Sequence, residues 1–189
     1  MANDTSPVNT RAASKYRGES SAELFARKRE SLVDILAYSL MPNHFHIVAR
    51  QLAERGISIF MGKLCTGYSM YFNRKHDHSG TLFQGPFKSS HIDTDSYFLW
   101  SFAYAHLNPL SLVEPEWSGK HIRDSLRAQK FLEKYRYSSY PDYYCGKRPE
   151  RTILNYEEGL NHVDSNADMR ALLKSYARGR VLYTSFTSA

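Results

Sequence analysis

Two short apolar runs, Ile35–Leu40 and His44–Arg50, are separated only by Met41-Pro42-Asn43, and they limit this chain more than any other stretch. A proline and an asparagine between extended apolar segments read as a tight turn, so the two runs predict an antiparallel strand pair. Side chains alternate along an extended backbone, which puts His44 and His46 on one face. The flanking Leu40, Phe45, Ile47 and Val48 mark the second run as a buried strand rather than a loop. Two imidazoles side by side on a rigid strand form a bidentate claw for a metal ion. On its own such a pair is more often structural, so what completes the site decides its meaning.

The chain around the hairpin reads as an alternation of helices and loops. Residues 1–20 are polar and rich in Ser, Thr, Asn and Arg, as in a disordered or truncated segment. Ser21–Leu32 has helical composition. Gly56–Lys75 carries Ile57, Phe60, Leu64, Tyr68 and Tyr71 at helical spacing, which predicts an amphipathic helix with that stripe inward. Arg74 to Gly80 reads as a basic turn, and Thr81–Ile92 returns to extended structure with a break at Gly85-Pro86. Asp93 or Thr94 can cap a further helix through Tyr104 that ends at Asn108, because a residue before proline avoids helical angles. Leu110–Lys120 is a loop, His121–Tyr135 a basic helix, Tyr135–Tyr144 turn-like, and Asp168–Arg178 a last short helix. The expected organisation is a catalytic domain over 21–145 and a C-terminal extension over 146–189.

Composition narrows the partners. The 189 residues carry a net charge of +6 and a pI of about 9.3, which favours a polyanion. Cys65 and Cys145 form no metal or redox motif, as in a reduced, cytoplasmic protein. No stretch approaches the roughly 20 apolar residues of a membrane span, and the N-terminus lacks a signal peptide's apolar core.

Tyr104 and Asn108 stand four apart on the helix before Pro109 and therefore share a face. If that face meets the histidine strand, Asn108 offers a third ligand through its amide oxygen and Tyr104 holds a phenol beside the metal. Such a site suits attack on a phosphodiester. A hard divalent ion polarises a phosphate oxygen while the phenolate attacks phosphorus and forms a covalent protein–DNA link. Mg²⁺ or Mn²⁺ is expected, Mn²⁺ being better matched to imidazole. Zinc hydrolysis competes, but it wants a third histidine or a carboxylate and a general base. No His-Glu-x-x-His is present, and Asp34, Asp77 and Asp93 have no diagnostic spacing.

Four blocks occur in order: Leu40-Met-Pro-Asn-His-Phe-His-Ile-Val48, Tyr71-Phe-Asn73, Gly80-Thr-Leu-Phe-Gln-Gly-Pro-Phe-Lys-Ser89 and Tyr104-Ala-His-Leu-Asn-Pro109. Tyr137-Ser-Ser-Tyr140 follows. Over roughly residues 34–145 the chain resembles the REP-associated tyrosine transposases, relatives of the single-strand transposases of small insertion sequences. The resemblance implies an α+β, ferredoxin-like (RRM-like) antiparallel sheet with helices packed on it. It implies His44 and His46 as metal ligands, Asn108 in the third ligand position and Tyr104 as nucleophile. It further implies cleavage of single-stranded DNA beside a hairpin, through a 5′-phosphotyrosine intermediate and a free 3′-hydroxyl, by a monomer or a homodimer. Arg74, Lys75, Lys88, Arg136, Tyr137 and Tyr140 are the candidate DNA contacts, cations for phosphates and tyrosines for unpaired bases. Tyr143 and Tyr144 are further stacking candidates.

The pattern departs from the family in two places. The first strand of that fold, which would stand beside the histidine strand, is not evident ahead of Lys15-Tyr16-Arg17-Gly18, and Pro86 stands where many relatives carry arginine. The alternative is a non-catalytic hairpin-DNA-binding protein or a decayed transposase remnant.

Overall fold

The computed structural model describes residues 30–114 and 122–162. The helix expected over Ser21–Leu32 falls mostly outside them. So do the helix expected over Asp168–Arg178, any strand ahead of residue 30, and most of the loop expected over Leu110–Lys120. Within the described residues the chain is α+β, as the sequence predicts. Strands β1 (Val33–Leu40) and β2 (Phe45–Gln51) form an antiparallel pair. Pro42 and Asn43 make the turn, closed by the Met41 amide donating to the His44 carbonyl at 2.8 Å. His44 therefore sits one residue ahead of β2 rather than within it.

Two compact units are present, one containing residues 30–34 and 50–90, the other 35–49 and 91–162. In the first, α1 (Gly56–His76) starts where Gly56 crosses the chain end of β1. A Cβ at Gly56 would lie 2.3 Å from the Leu32 carbonyl oxygen, so only glycine fits there. Burial along α1 is confined to its first turns, at Phe60, Met61 and Lys63. Tyr68 and Tyr71, expected on the inward stripe, are about half exposed, at 49% and 57%. Tyr68 instead meets Phe72 on its own helix and Phe83 from the following segment. That segment, Thr81–Ile92, forms no strand, contrary to its apolar composition. Gly80 and Gly85 take φ of 111° and 78°, outside the extended region, and Pro86 has no amide to donate to a ladder.

The second unit holds the main core. The helix α2 (Asp95–Leu107) begins at Thr94, whose Oγ1 accepts from the Tyr97 amide at 3.2 Å, and Asp95 sits favourably in its first turn. It ends where expected, by a different route. Asn108 keeps helical angles (φ −51°, ψ −38°), and the chain tightens into a 3₁₀ turn over Asn108–Leu112 instead of unwinding before Pro109. Phe98, Phe102, Ala103 and Leu107 of α2 pack with Leu36 of β1 and Val48 of β2. Helix α3 (Ser125–Lys134) is capped by Asp124, whose carboxylate accepts from the amides of Leu126 and Arg127, and buries Ala128 and Leu132.

The chain after α3 returns to β1. The Leu40 amide donates to the Tyr137 carbonyl at 2.8 Å and the Ser139 amide to the Tyr38 carbonyl at 2.9 Å, forming a bridge at Ser39 and Ser138. Further along the strand the Asn155 amide donates to the Ile35 carbonyl at 2.9 Å. These bonds occupy backbone groups that β2 does not use, and β1 is buried along almost its whole length. The segment expected to be turn-like contains the short helix α4 (Tyr140–Tyr144). Beyond it, a 3₁₀ turn over Pro149–Ile153 and α5 (Tyr156–Asn161) pack on the same core through Leu154, Tyr156 and Leu160. Tyr156 stacks on Tyr143 at 4.9 Å, and Gly159 lies so close to the Tyr143 hydroxyl that no Cβ fits. Among the described residues no helix is long and apolar enough to cross a membrane.

Arg148 binds this region together. Its guanidinium donates to both carboxylate oxygens of Asp142 and to the carbonyls of Arg136 and Ser138. The Asp142 side chain is fully buried, so the pair matters chiefly through what is left when one member is removed. Arg148→Ala is expected to cost about 3–5 kcal/mol of unfolding free energy, read from urea denaturation, by stranding a buried carboxylate. A midpoint equal to the parent's would mean the pair does not hold the 136–148 segment.

Candidate phosphoryl-transfer site

His44, His46, Tyr104 and Asn108 come together inside the second unit. The two histidine rings meet edge to face with centroids 5.1 Å apart, and the His46 ring meets that of Tyr104 in the same way at 5.3 Å. His44 Nε2 lies 3.3 Å from Asn108 Oδ1, and His44 Nδ1 lies 2.7 Å from Asn43 Oδ1. Both ring nitrogens of His44 thus face side-chain amide oxygens, on Asn43 at one end and Asn108 at the other. His46 Nε2 is buried without a hydrogen-bond partner. Burial, and then the neighbouring His44, lowers the His46 pKa, so its imidazole is neutral at neutral pH.

Two imidazoles and an amide oxygen gathered at one place form a mixed nitrogen–oxygen donor set of the kind Mn²⁺ or Mg²⁺ accepts. Among the described residues no group of three or more His, Cys, Asp or Glu side chains could hold a metal. The carboxylate or third histidine of a hydrolytic zinc site thus has no candidate there.

A buried contact sets the pitch of the helix that carries Tyr104 and Asn108. His106 lies between them in sequence and faces inward with no exposure. Its Nε2 is 2.7 Å from Ser139 Oγ, and that hydroxyl accepts from the Tyr38 amide at 2.9 Å and donates to the Tyr38 carbonyl at 3.2 Å. The other ring nitrogen, His106 Nδ1, is buried without a hydrogen-bond partner. Phe102 and Tyr143 wall the ring in. Sequence reasoning missed this link, because Ser139 and His106 look like ordinary polar residues until the fold brings them together.

The candidate DNA contacts divide. Arg74, Lys75 and Lys88 are exposed in the first unit, with the Lys75 ammonium 5.5 Å over the Tyr71 ring. In the second unit Arg136 sits 5.5 Å over Tyr137, which is half exposed. Tyr140 is a correction. It is 2% exposed and packs against Tyr144 and His106, so its ring offers no face to a base. Tyr143 is buried likewise, its hydroxyl donating to the Leu36 carbonyl at 2.6 Å. Aromatic residues in a turn-rich stretch read equally as stacking platform or core, and here the core took these two.

Comparison with known proteins assigns the chain to a family. The family described as "Transposase IS200 like" matches residues 13–110, just over half of the chain. The chain belongs to the IS200-like transposase family, whose function is transposition, with DNA strand transfer or endonuclease activity as the suggested chemistry. This bears out the resemblance at the level of the superfamily. The match starts well ahead of β1, so the family pattern extends over the segment where the sequence shows no strand. No curated protein and no solved structure matches the chain significantly.

Burial lowers the His106 pKa to about 3, far below an exposed imidazole's. Above about pH 6.5 both folded and unfolded chains hold this ring neutral. Below it the unfolded chain takes up a proton that the folded chain refuses. Stability should therefore fall as the pH drops from about 6.5, at up to about 1.4 kcal/mol per pH unit from this residue. His106→Gln, which keeps a hydrogen-bonding group for Ser139, should flatten that decline in urea titrations between pH 7 and 4. An unchanged slope would place the lost protons elsewhere.

Proposed function

We propose that the chain is a metal-dependent, single-stranded DNA transposase of the REP-associated type, cutting and rejoining strands beside a DNA hairpin through Tyr104. The observation that carries this reading is the meeting of His44, His46 and Asn108 beside the Tyr104 ring, with His44 Nε2 3.3 Å from Asn108 Oδ1 and His46 Nε2 buried without a hydrogen-bond partner. His44, His46 and Asn108 would hold Mg²⁺ or Mn²⁺. When bound, the ion supplies Lewis-acid polarisation of a phosphate oxygen.

Tyr104 supplies the nucleophile. As its Oη bonds to phosphorus, the phenol gives up its proton and the bond from phosphorus to the 3′-oxygen breaks. That oxygen leaves with the electron pair and takes up a proton. The product is a 5′-phosphotyrosine and a free 3′-hydroxyl. Attack by a 3′-hydroxyl on the same phosphorus reverses these changes, releases Tyr104 and rejoins DNA, because the phosphodiester energy is kept in the covalent link. Arg136 with Tyr137, and Arg74, Lys75 and Lys88, supply cations for the phosphates. A net charge of +6 supports affinity that falls with salt.

Two expectations test the reading. Incubated with single-stranded hairpin DNA and Mg²⁺ or Mn²⁺, the protein should form a denaturation-resistant adduct. Tyr104→Phe should abolish the adduct yet bind the DNA within about twofold of the parent, since only one hydroxyl is lost. A persisting adduct would assign the nucleophile elsewhere, and no adduct with the parent would favour a DNA-binding remnant. Separately, His46→Gln and Asn108→Ala should each weaken Mn²⁺ binding, followed by calorimetry, by at least about tenfold. Tyr104→Phe should leave that binding intact, and equal affinities throughout would remove these residues from the metal site.

A further inference from the structure

Tyr97, Trp100 and Tyr104 follow one another along α2 at steps of three and four residues, which puts their rings in one column. Tyr97 and Trp100 are stacked at 5.9 Å with planes 25° apart. Trp100 and Tyr104 are closer and more parallel, at 5.0 Å and 19°. Tyr104 also meets His46, in a T-shaped contact with the ring planes at 83°. The phenol is thus stacked with the indole and crossed by the imidazole. Offset stacking and edge-to-face contact are the two preferred aromatic geometries, and together they oppose rotation of the ring in either sense.

Packing alone does not account for the tryptophan. The core takes Phe98, Phe102, Ala103 and Leu107 from α2, whereas Tyr97 and Trp100 lie outside that cluster. Helix propensity does not call for it either, since Leu or Ala would serve the helix better. What Trp100 provides is a broad, rigid plane against Tyr104. A nucleophile gains rate from being held near its attacking geometry, and small misplacement is costly.

We propose that Trp100 is a positioning residue: its indole plane, backed by Tyr97, holds the Tyr104 phenol in a single orientation against His46. This deepens the proposed function and rests on Tyr104 being the nucleophile. The column differs from a base-binding platform, because both faces of Trp100 are already occupied by protein rings.

The experiment uses the full chain, with Trp100→Leu, which keeps apolar bulk, and Trp100→Phe, which keeps a ring. Single-turnover adduct formation on hairpin DNA should slow by at least about tenfold in Trp100→Leu, with DNA affinity and melting temperature near the parent's. Trp100→Phe should recover to within about threefold of the parent, because a ring can still stack. A second readout needs neither metal nor DNA. With Trp117→Phe in the background, Trp100 is the only remaining tryptophan of the two, and Tyr104→Ala should raise acrylamide quenching of its fluorescence by about twofold. Unchanged quenching, a Leu variant as fast as the parent, a Phe variant as slow as Leu, or a loss that tracks DNA affinity would each overturn the positioning role. Tyr104→Phe in the same series separates the two ideas. An adduct that survives it defeats the nucleophile assignment, whereas a Tyr104-dependent adduct indifferent to Trp100 defeats only the positioning.

Discussion

The hydrogen-bonded link from His106 through Ser139 to the Tyr38 backbone is the constraint on which the face carrying Tyr104 and Asn108 depends. Apolar packing holds a helix through shape alone, whereas a hydrogen bond adds a directional constraint on its rotation. A buried imidazole bonded to one hydroxyl supplies that constraint. With His106 turned inward, Tyr104 and Asn108, two residues before and after it, are carried round to the side where His44 and His46 stand. The polar contact costs desolvation, yet breaking it would strand a polar nitrogen among aromatic rings.

Strand β1 is the matching fixed part. One edge pairs with β2 and carries the histidine hairpin, while the chain at Tyr137, Ser139 and Asn155 bonds to the other groups of its backbone. Arg148 and the buried Asp142 clamp the returning chain, so Ser139 is held from two directions. The residues after 145 contribute to the same arrangement through Tyr156 and Gly159 against Tyr143. Tyr104, the proposed nucleophile, thereby stands on a braced helix, with His44 in the turn and His46 on the braced strand beside it, as a preorganised site requires.

Much of this was legible where local chemistry decides the outcome. Pro42-Asn43 between apolar runs specified the hairpin, and Thr94 with Asn108-Pro109 bracketed α2. The spacing of Tyr104 and Asn108 put them on one helical face, but only the family resemblance connected that face with His44 and His46. Elsewhere local signals misled for identifiable reasons. Thr81–Ile92 has strand composition, and Gly85 at positive φ followed by Pro86, with Gly80 at positive φ just ahead, overrides it. Tyr68 and Tyr71 looked like core and are exposed, whereas Tyr140 and Tyr143 looked like a DNA surface and are core. A tyrosine satisfies either environment, and what covers it depends on distant chain. The His106–Ser139 contact was invisible for the same reason, since it becomes meaningful only as a tertiary pair.

The central claim is that the phenol at position 104 becomes bonded to DNA phosphorus. Mass spectrometry of the protease-digested protein–DNA adduct tests it most directly. The account predicts a nucleotide 5′-phosphate attached to Tyr104 itself, on the peptide that contains Asn108, and a free 3′-hydroxyl on the released strand. Attachment to any other tyrosine, or a 3′-phosphate linkage to Tyr104, would contradict it.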